Sequence, residues 1–155
     1  MKVPVLAELF AEGKQPEVLF WVGCAGSFDQ RAQKITKAFV TILDKVGISY
    51  AILGKEEMCN GDPVRRAGNE FMFQMMAYQN IQILNNYGIK KIVTACPHCF
   101  NILKNEYPAL GPLKKNQLVI LVISHLILQQ ALPCTQSIIA GWWEECGSAA
   151  FRQKD

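Results

Sequence analysis

An α/β fold, in which a parallel sheet of three to four strands lies between flanking helices in a Rossmann-like three-layer arrangement, follows from two features of this 155-residue chain. Short apolar runs alternate with longer stretches of helical periodicity, the order expected of a parallel sheet. The runs are apolar at nearly every residue rather than every second one, as in strands covered on both faces. Half of the residues are hydrophobic, so the length supplies one proper core and falls short of two.

Residues 1–16 form a lead-in that ends at Pro16, with a helical turn over 5–11. From Glu17 the run VLFWVG reads as the first buried strand, which makes Trp21 a core residue. Between Asp29 and Val46, Ala32, Ile35, Phe39, Ile42, Leu43 and Val46 recur at helical spacing, with Ser27 or Asp29 as the cap. Gly47 stops that helix and ISYAIL is the second strand. GDPVRRAGNEFMFQMMAYQNIQILNNYG then predicts one long helix, with Asp62 as N-cap and Pro63 at the first helical position. Its Phe71, Phe73, Met75, Met76 and Tyr78 read as core plus an interface. KKIVTA is the third strand, residues 97–107 a shorter helix closed by Pro108, LVILVI a fourth strand, and SHLILQQAL helical. Beyond residue 132 no clean period remains, and 133–155 is expected to be an irregular tail.

A formal charge of +3, with no basic stripe interleaved with aromatics, argues against nucleic-acid binding. The first residues carry Glu8 and Glu12 inside their apolar stretch, unlike a signal peptide or anchor. The longest apolar run, 118–128, is broken by Ser124 and His125 and is shorter than the roughly 20 residues a membrane-spanning helix needs. The expectation is a soluble, cytoplasmic protein without direct membrane insertion. In that reducing compartment six cysteines point to metal or redox chemistry rather than structural disulfides.

Four of the six share a position relative to the strands. Cys24 follows the first, Cys59 the second, and Cys96 and Cys99 the third. The crevice beyond the carboxyl ends of parallel strands is where such sheets bind ligands, so three distant loops bring four thiols to one edge. Helix starts at Pro63 and Pro97 favour thiolates nearby through their partial positive charge. Arg65 and Arg66, read as first-turn residues, are disfavoured there by about 0.3 to 1 kcal/mol each, which an anionic group would offset. Four thiolates suit an iron-sulfur cluster, 2Fe-2S or 4Fe-4S, and also a structural zinc. The spacing speaks for the cluster, because zinc modules usually present two close pairs and only Cys96 and Cys99 form one here. Cys134 and Cys146 match no motif and read as small buried hydrophobes.

At these residues, FWVGCAGSFDQR, EEMCNGDPVRRAGNE and IVTACPHCFNILKNEYPALG, the chain resembles the cysteine-rich CCG domain found in heterodisulfide reductase and in the iron-sulfur subunits of glycolate oxidase and lactate-utilisation complexes. The resemblance assigns residues 17–132 to one such domain and implies metal ligands Cys24, Cys59, Cys96 and Cys99, with Asn60, Gly61, Arg65, Arg66 and His98 around them. Asn60 stands where the heterodisulfide reductase pattern has a second adjacent cysteine. That makes a four-ligand cluster, 4Fe-4S, the better fit than the five-thiolate double cluster. Relatives usually carry two copies of the domain, which implies a second CCG domain as partner and a divergent, truncated or frame-shifted end here. The resemblance offers His125 as the counterpart of a family histidine near the site, against a tail that follows the family only loosely, and a truncated end would leave 118–132, Trp142 and Trp143 as a surface that a second domain normally covers.

The function so implied is an iron-sulfur electron-transfer subunit of an oxidoreductase complex, with chemistry on a flavoprotein or ferredoxin-like partner. His98, in the first turn of its helix, reads first as a solvent-facing residue, with coupling of a proton to that transfer as the functional alternative. Two alternatives stand beside it. One is a zinc-stabilised interaction module or a non-functional fragment; the other is thiol-disulfide exchange at Cys96-Pro97-His98-Cys99.

Overall fold

The structure, a computed structural model, describes residues 3–111 together with the backbone of 118–121. In chain order the elements are helix α1 (Leu6–Ala11), strand β1 (Val18–Trp21), helices α2 (Gly23–Phe28) and α3 (Gln30–Val46), and strand β2 (Tyr50–Ala51). After a 3₁₀ turn at Gly54–Glu56 come α4 (Asp62–Arg66), α5 (Glu70–Asn86) and β3 (Lys91–Thr94). A helical run then passes from α6 (Pro97–Asn101) through a π-helical stretch (Ile102–Glu106) into α7 (Tyr107–Leu110), and β4 (Leu118–Leu121) follows. The strands form one parallel sheet in the order β2-β1-β3-β4, with Val18 opposite Tyr50, Leu19 opposite Ile92, and Ile92 opposite Val119.

The alternation of side chains along a strand divides the core between the two faces. Leu19, Trp21, Ala51 and Ile92 point to the larger side, where Leu6 of α1, Phe73, Ala77, Ile81 and Leu84 of α5, and Cys99, Ile102, Leu103 and Tyr107 close over them. Val18, Phe20, Tyr50 and Val93 point to the other side, against Phe39, Val40 and Leu43 of α3. All four residues of β1 are therefore buried, which is why its sequence is apolar throughout. The described residues make up one compact unit. Expectations that fall on 122–155, namely the continuation of β4, the helix at SHLILQQAL, His125, Cys134, Trp142, Trp143 and Cys146, lie outside the described residues. Among the described residues no helix is long and apolar enough to cross a membrane.

The structure departs from the sequence reading at several junctions. The single helix expected after Gly61 is two, because Gly68 takes a left-handed φ of 84° and Asn69 caps a fresh start by accepting from the Met72 amide at 3.1 Å. Asp62 is the first helical residue of α4 rather than its N-cap. The capping position belongs to Gly61 in the left-handed region, and Asn60 Oδ1 accepts from the Asp62 amide at 3.0 Å. In so short a helix the first and last turns overlap, and Arg65 and Arg66 stand in the last turn, where cations are favoured. Pro108 does not close the last helix. The chain passes through a π-helical stretch before it, Pro108 takes an early position of α7, where a missing N–H is tolerated, and the helix runs on to Leu110. Asp29 caps α3, accepting from the Ala32 amide at 2.8 Å, while Ser27 lies inside α2, a helix the apolar periodicity gave no sign of. Ile42 and Val46 of α3 are exposed, leaving Phe39, Val40 and Leu43 as its buried face. On α5, Phe73 is core, whereas Phe71, Met75 and Tyr78 face outward.

Candidate metal centre

Because all strands run the same way, the segments leaving β1, β2 and β3 emerge at one edge of the sheet, and each carries cysteine. Trp21 ends β1, and two residues later Gly23 opens α2 with Cys24 second in it. Cys59 follows β2 and the 3₁₀ turn. Cys96 sits at the N-cap of α6, with Cys99 inside that helix and buried. Cys24 is exposed, and Cys59 and Cys96 are half-buried.

Gly23 is the hinge of the arrangement. Its φ of 76° lies in the region that favours glycine, and a Cβ there would come within 3.0 Å of Cys99 Sγ and 4.0 Å of Cys96 Cβ. The turn that carries Cys24 thus lies directly on the Cys96/Cys99 pair, an approach only a residue without a side chain permits. The thiols also sense one another electrostatically. The Cys99 pKa is pushed up, first by its hydrogen bond to Cys96, then by burial and by the charges of Cys96, Cys24 and Glu57. Cys96 moves the other way, down to about 5, because the Cys99 thiol donates to it; the backbone amides of Cys99 and His98 and the His98 ring add to this against the cost of burial. In the metal-free chain Cys96 is the thiolate and Cys99 the thiol that stabilises it.

Cys59 is tied to the same region through a buried polar chain. Asn80 Nδ2 donates to the Cys59 carbonyl at 3.0 Å and to Tyr107 Oη at 2.9 Å, and Tyr107 Oη donates to the Asn60 carbonyl at 3.0 Å. The Tyr107 hydroxyl has its pKa raised, chiefly by burial, and both Cys59 and Cys99 contribute, so it stands between the two cysteine loops. Gly61, at φ 88°, lets the loop pass Phe73, whose ring carbon a Cβ would meet at 2.7 Å.

The remaining expected residues are placed as follows. Asn60 is buried and spends its Oδ1 on the Asp62 amide, with Cys59 Sγ 4.0 Å away. Arg66 pairs with Asp62 at 2.9 Å. Arg65 pairs with Glu106 and, at 3.5 Å, with Glu70, and lies over the Phe73 ring at 4.9 Å. The negative partners of both arginines are thus carboxylates of this chain. His98 is exposed, and its contribution to the site is the hydrogen bonding that lowers the Cys96 pKa.

Sequence reasoning passed over Glu57, Gly23, Tyr107 and Asn80. Glu57 Oε2 accepts from the Val22 amide at 3.1 Å and Oε1 from the Gly23 amide at 2.6 Å. Burial pushes its pKa up to about 7, against the pull of those two amides. Gly23 had a legible signal in its place directly before Cys24; Asn80 and Tyr107 had none, being ordinary residues of helical stretches. Beside Cys24, Cys59 and Glu57 opens a cavity of about 900 Å³, walled by Phe20, Val22, Val40 and Ile52.

Among the described residues no three His, Cys, Asp or Glu side chains already stand in metal-holding geometry. The donor set nonetheless fits a thiolate-ligated group. One thiol is ionised in its own hydrogen-bond frame, three of the four interact through Cys99, and Gly23 leaves the space against them free of a side chain.

Fold and site together define an α/β cysteine-rich domain with its thiols on loops at the carboxyl edge of a parallel sheet. The profile of the Cysteine-rich domain family, CCG, matches residues 18–104, and the chain belongs to that family. It is 49% identical over 100 residues to the EtfAB:quinone oxidoreductase of Syntrophomonas wolfei, covering 64% of this chain and 14% of that one. To the probable iron-sulfur-binding oxidoreductase FadF of Bacillus subtilis it is 49% identical over 110 residues, 71% of this chain and 16% of the other. One subunit of the dihydromethanophenazine:CoB–CoM heterodisulfide reductase of Methanosarcina barkeri is 33% identical over 99 residues, 61% and 23% of the two chains. The matched region thus spans less than a quarter of each of these relatives. No solved structure matches the chain.

Proposed function

We propose that this domain binds an iron-sulfur cluster through Cys24, Cys59, Cys96 and Cys99 and serves as an electron-transfer component of a larger oxidoreductase. Its redox partners would be flavoprotein or ferredoxin-like subunits in the cytoplasm, with a second CCG domain a further candidate. The carrying observation is the approach of the Gly23 turn to the Cys96/Cys99 pair, which joins the loops after β1 and β3 at one point. The names of the relatives, which include an iron-sulfur-binding oxidoreductase and a quinone oxidoreductase, support the same reading. A 4Fe-4S cluster suits four cysteine ligands, with Asn60 in place of a fifth thiol and its Oδ1 engaged by the Asp62 amide.

A bound cluster would supply reversible electron transfer. The chain's own residues do the rest. Cys96 offers a ready thiolate, and the amides of His98 and Cys99 hold negative charge beside it. Asn80 and Tyr107 fix the Cys59 backbone, and burial of Cys99 keeps water from that side of the group.

Anaerobic purification, with assay of iron, labile sulfide and zinc and EPR of the reduced protein, tests the reading. Iron and sulfide in equal amounts, lost in serine variants of any of the four cysteines, is the expected result. Zinc alone would mean a structural site and would overturn it. A second reading has one observation in its favour: a low-pKa Cys96 at a helix start, followed within the same turn by a buried Cys99, is also the arrangement of a thiol-disulfide exchange pair. Protein free of both metals that reduces a disulfide substrate through Cys96 would establish that one instead.

A further inference from the structure

Helix α2 begins without a side-chain cap of its own. Its first amides nonetheless have partners, because the Glu57 carboxylate reaches across from the loop after β2 and accepts from Val22 at 3.1 Å and Gly23 at 2.6 Å. Those residues lie 35 and 34 positions away in sequence. Gly23 directly precedes Cys24, and Glu57 lies two residues before Cys59. One carboxylate therefore joins the two loops that each carry an isolated cysteine, with one oxygen on each of two successive amides.

We propose that Glu57 is a positioning residue that clamps the Cys24 turn to the Cys59 loop and so sets the span between these two cysteines across which a shared cluster has to bond. The proposal rests on the four-cysteine reading above. A carboxyl group is suited to this work because its two oxygens each accept from one of the two amides, which fixes direction as well as distance. The clamp also holds Gly23 in its left-handed conformation against Cys99, so that the Cys96/Cys99 pair feels it too.

The test has two arms. In the cluster-free protein, amide hydrogen exchange at Val22 and Gly23 is measured for wild type, Glu57→Gln and Glu57→Ala. Exchange at Gly23 should rise by at least about tenfold in Glu57→Ala, with a smaller rise in Glu57→Gln, which keeps one acceptor. Wild-type exchange at both amides in Glu57→Ala overturns the clamp, whatever the cluster does. In the second arm, ferrous iron and sulfide are supplied anaerobically and the EPR spectrum and midpoint potential are recorded. Glu57→Gln should take up cluster with an altered spectrum or potential while its circular dichroism spectrum stays that of the folded wild type. A spectrum and potential identical to wild type would make Glu57 a merely structural support and reject the proposal. If wild type itself takes up no cluster, the four-cysteine reading fails, and the exchange arm still judges the clamp.

Discussion

Replacing Tyr107 by phenylalanine removes a single oxygen atom from the centre of the polar chain that holds Cys59. The ring is fully buried, and its hydroxyl donates to the Asn60 carbonyl at 3.0 Å while accepting from Asn80 Nδ2 at 2.9 Å. Without it the Asn60 carbonyl loses that donor and the Asn80 amide keeps its bond to the Cys59 carbonyl alone. Turning the Asn80 amide over does not repair the loss, since Oδ1, already without a partner, would then face a carbonyl. A lost neutral hydrogen bond costs about 0.5 to 1.5 kcal/mol net, and a buried group left unpaired about 1 to 3 kcal/mol, so the expected destabilisation is about 2 kcal/mol. For a chain of this size that is a fall of roughly 4 to 8 °C in melting temperature. Thermal and urea unfolding of the cluster-free protein, followed by circular dichroism, measures it. Because the ring and its packing are retained, a melting temperature within a degree of wild type would show that the hydroxyl carries no part of the Cys59 loop, and the account of that loop would be wrong.

Alkylation of the cluster-free chain at pH 6 should modify Cys96 well before Cys99, because Cys96 is held as a thiolate with a pKa near 5 while Cys99 is kept protonated; peptide mass spectrometry giving equal rates at the two would refute the assignment. Glu57 makes stability depend on pH. The folded, cluster-free chain raises its pKa from 4.5 to about 7, so the protonated form is favoured by folding, and the contribution is complete below pH 4.5 and lost as pH rises through 7. The shift corresponds to on the order of 3 kcal/mol, and a difference in unfolding free energy between wild type and Glu57→Gln that stays constant from pH 4 to 8 would exclude it. Gly23→Ala and Gly47→Ala share a left-handed backbone, with φ of 76° and 73°, and each should cost about 1 to 2 kcal/mol from that alone. Only at Gly23 does the added methyl meet a sulfur, so only Gly23→Ala should also change the alkylation rates of Cys96 and Cys99; equal disturbance in both variants would deny the close approach.

The sheet was legible because burial on both faces leaves its mark directly on the sequence: VLFW carries no polar residue, and all four of its side chains are buried. The common edge of the cysteines followed from strand direction alone. What periodicity did not reveal were breaks made by single residues. Gly68 and Asn69 interrupt an otherwise continuous helical pattern, and the consequence is large, since the short helix they leave ends at Arg65 and Arg66, which pair with Glu106, Glu70 and Asp62. The polar support of the site was equally hidden. Glu57 meets Gly23 across 34 residues, Asn80 meets Cys59 across 21, and Tyr107 meets Asn60 across 47. Contacts of that reach depend on how helices pack over the sheet, and no local pattern encodes them.

The placement of the cysteines by depth follows from the same packing and bears on electron transfer. Cys99 is buried because the helix after β3 lies in the larger core beside Trp21 and Tyr107. Cys24 is exposed because α2 lies outside both buried clusters apart from Val22 at its start. A cluster bonded as proposed would therefore have one side set in apolar protein and the other at the surface. The buried side raises the cost of adding charge, and the amides at Cys99 and His98 offset part of it, which are two levers on reduction potential. The exposed side would give a partner's cofactor a short approach. A centre enclosed on all sides would gain stability and lose that approach, so on the proposed function the exposure of Cys24 would serve transfer.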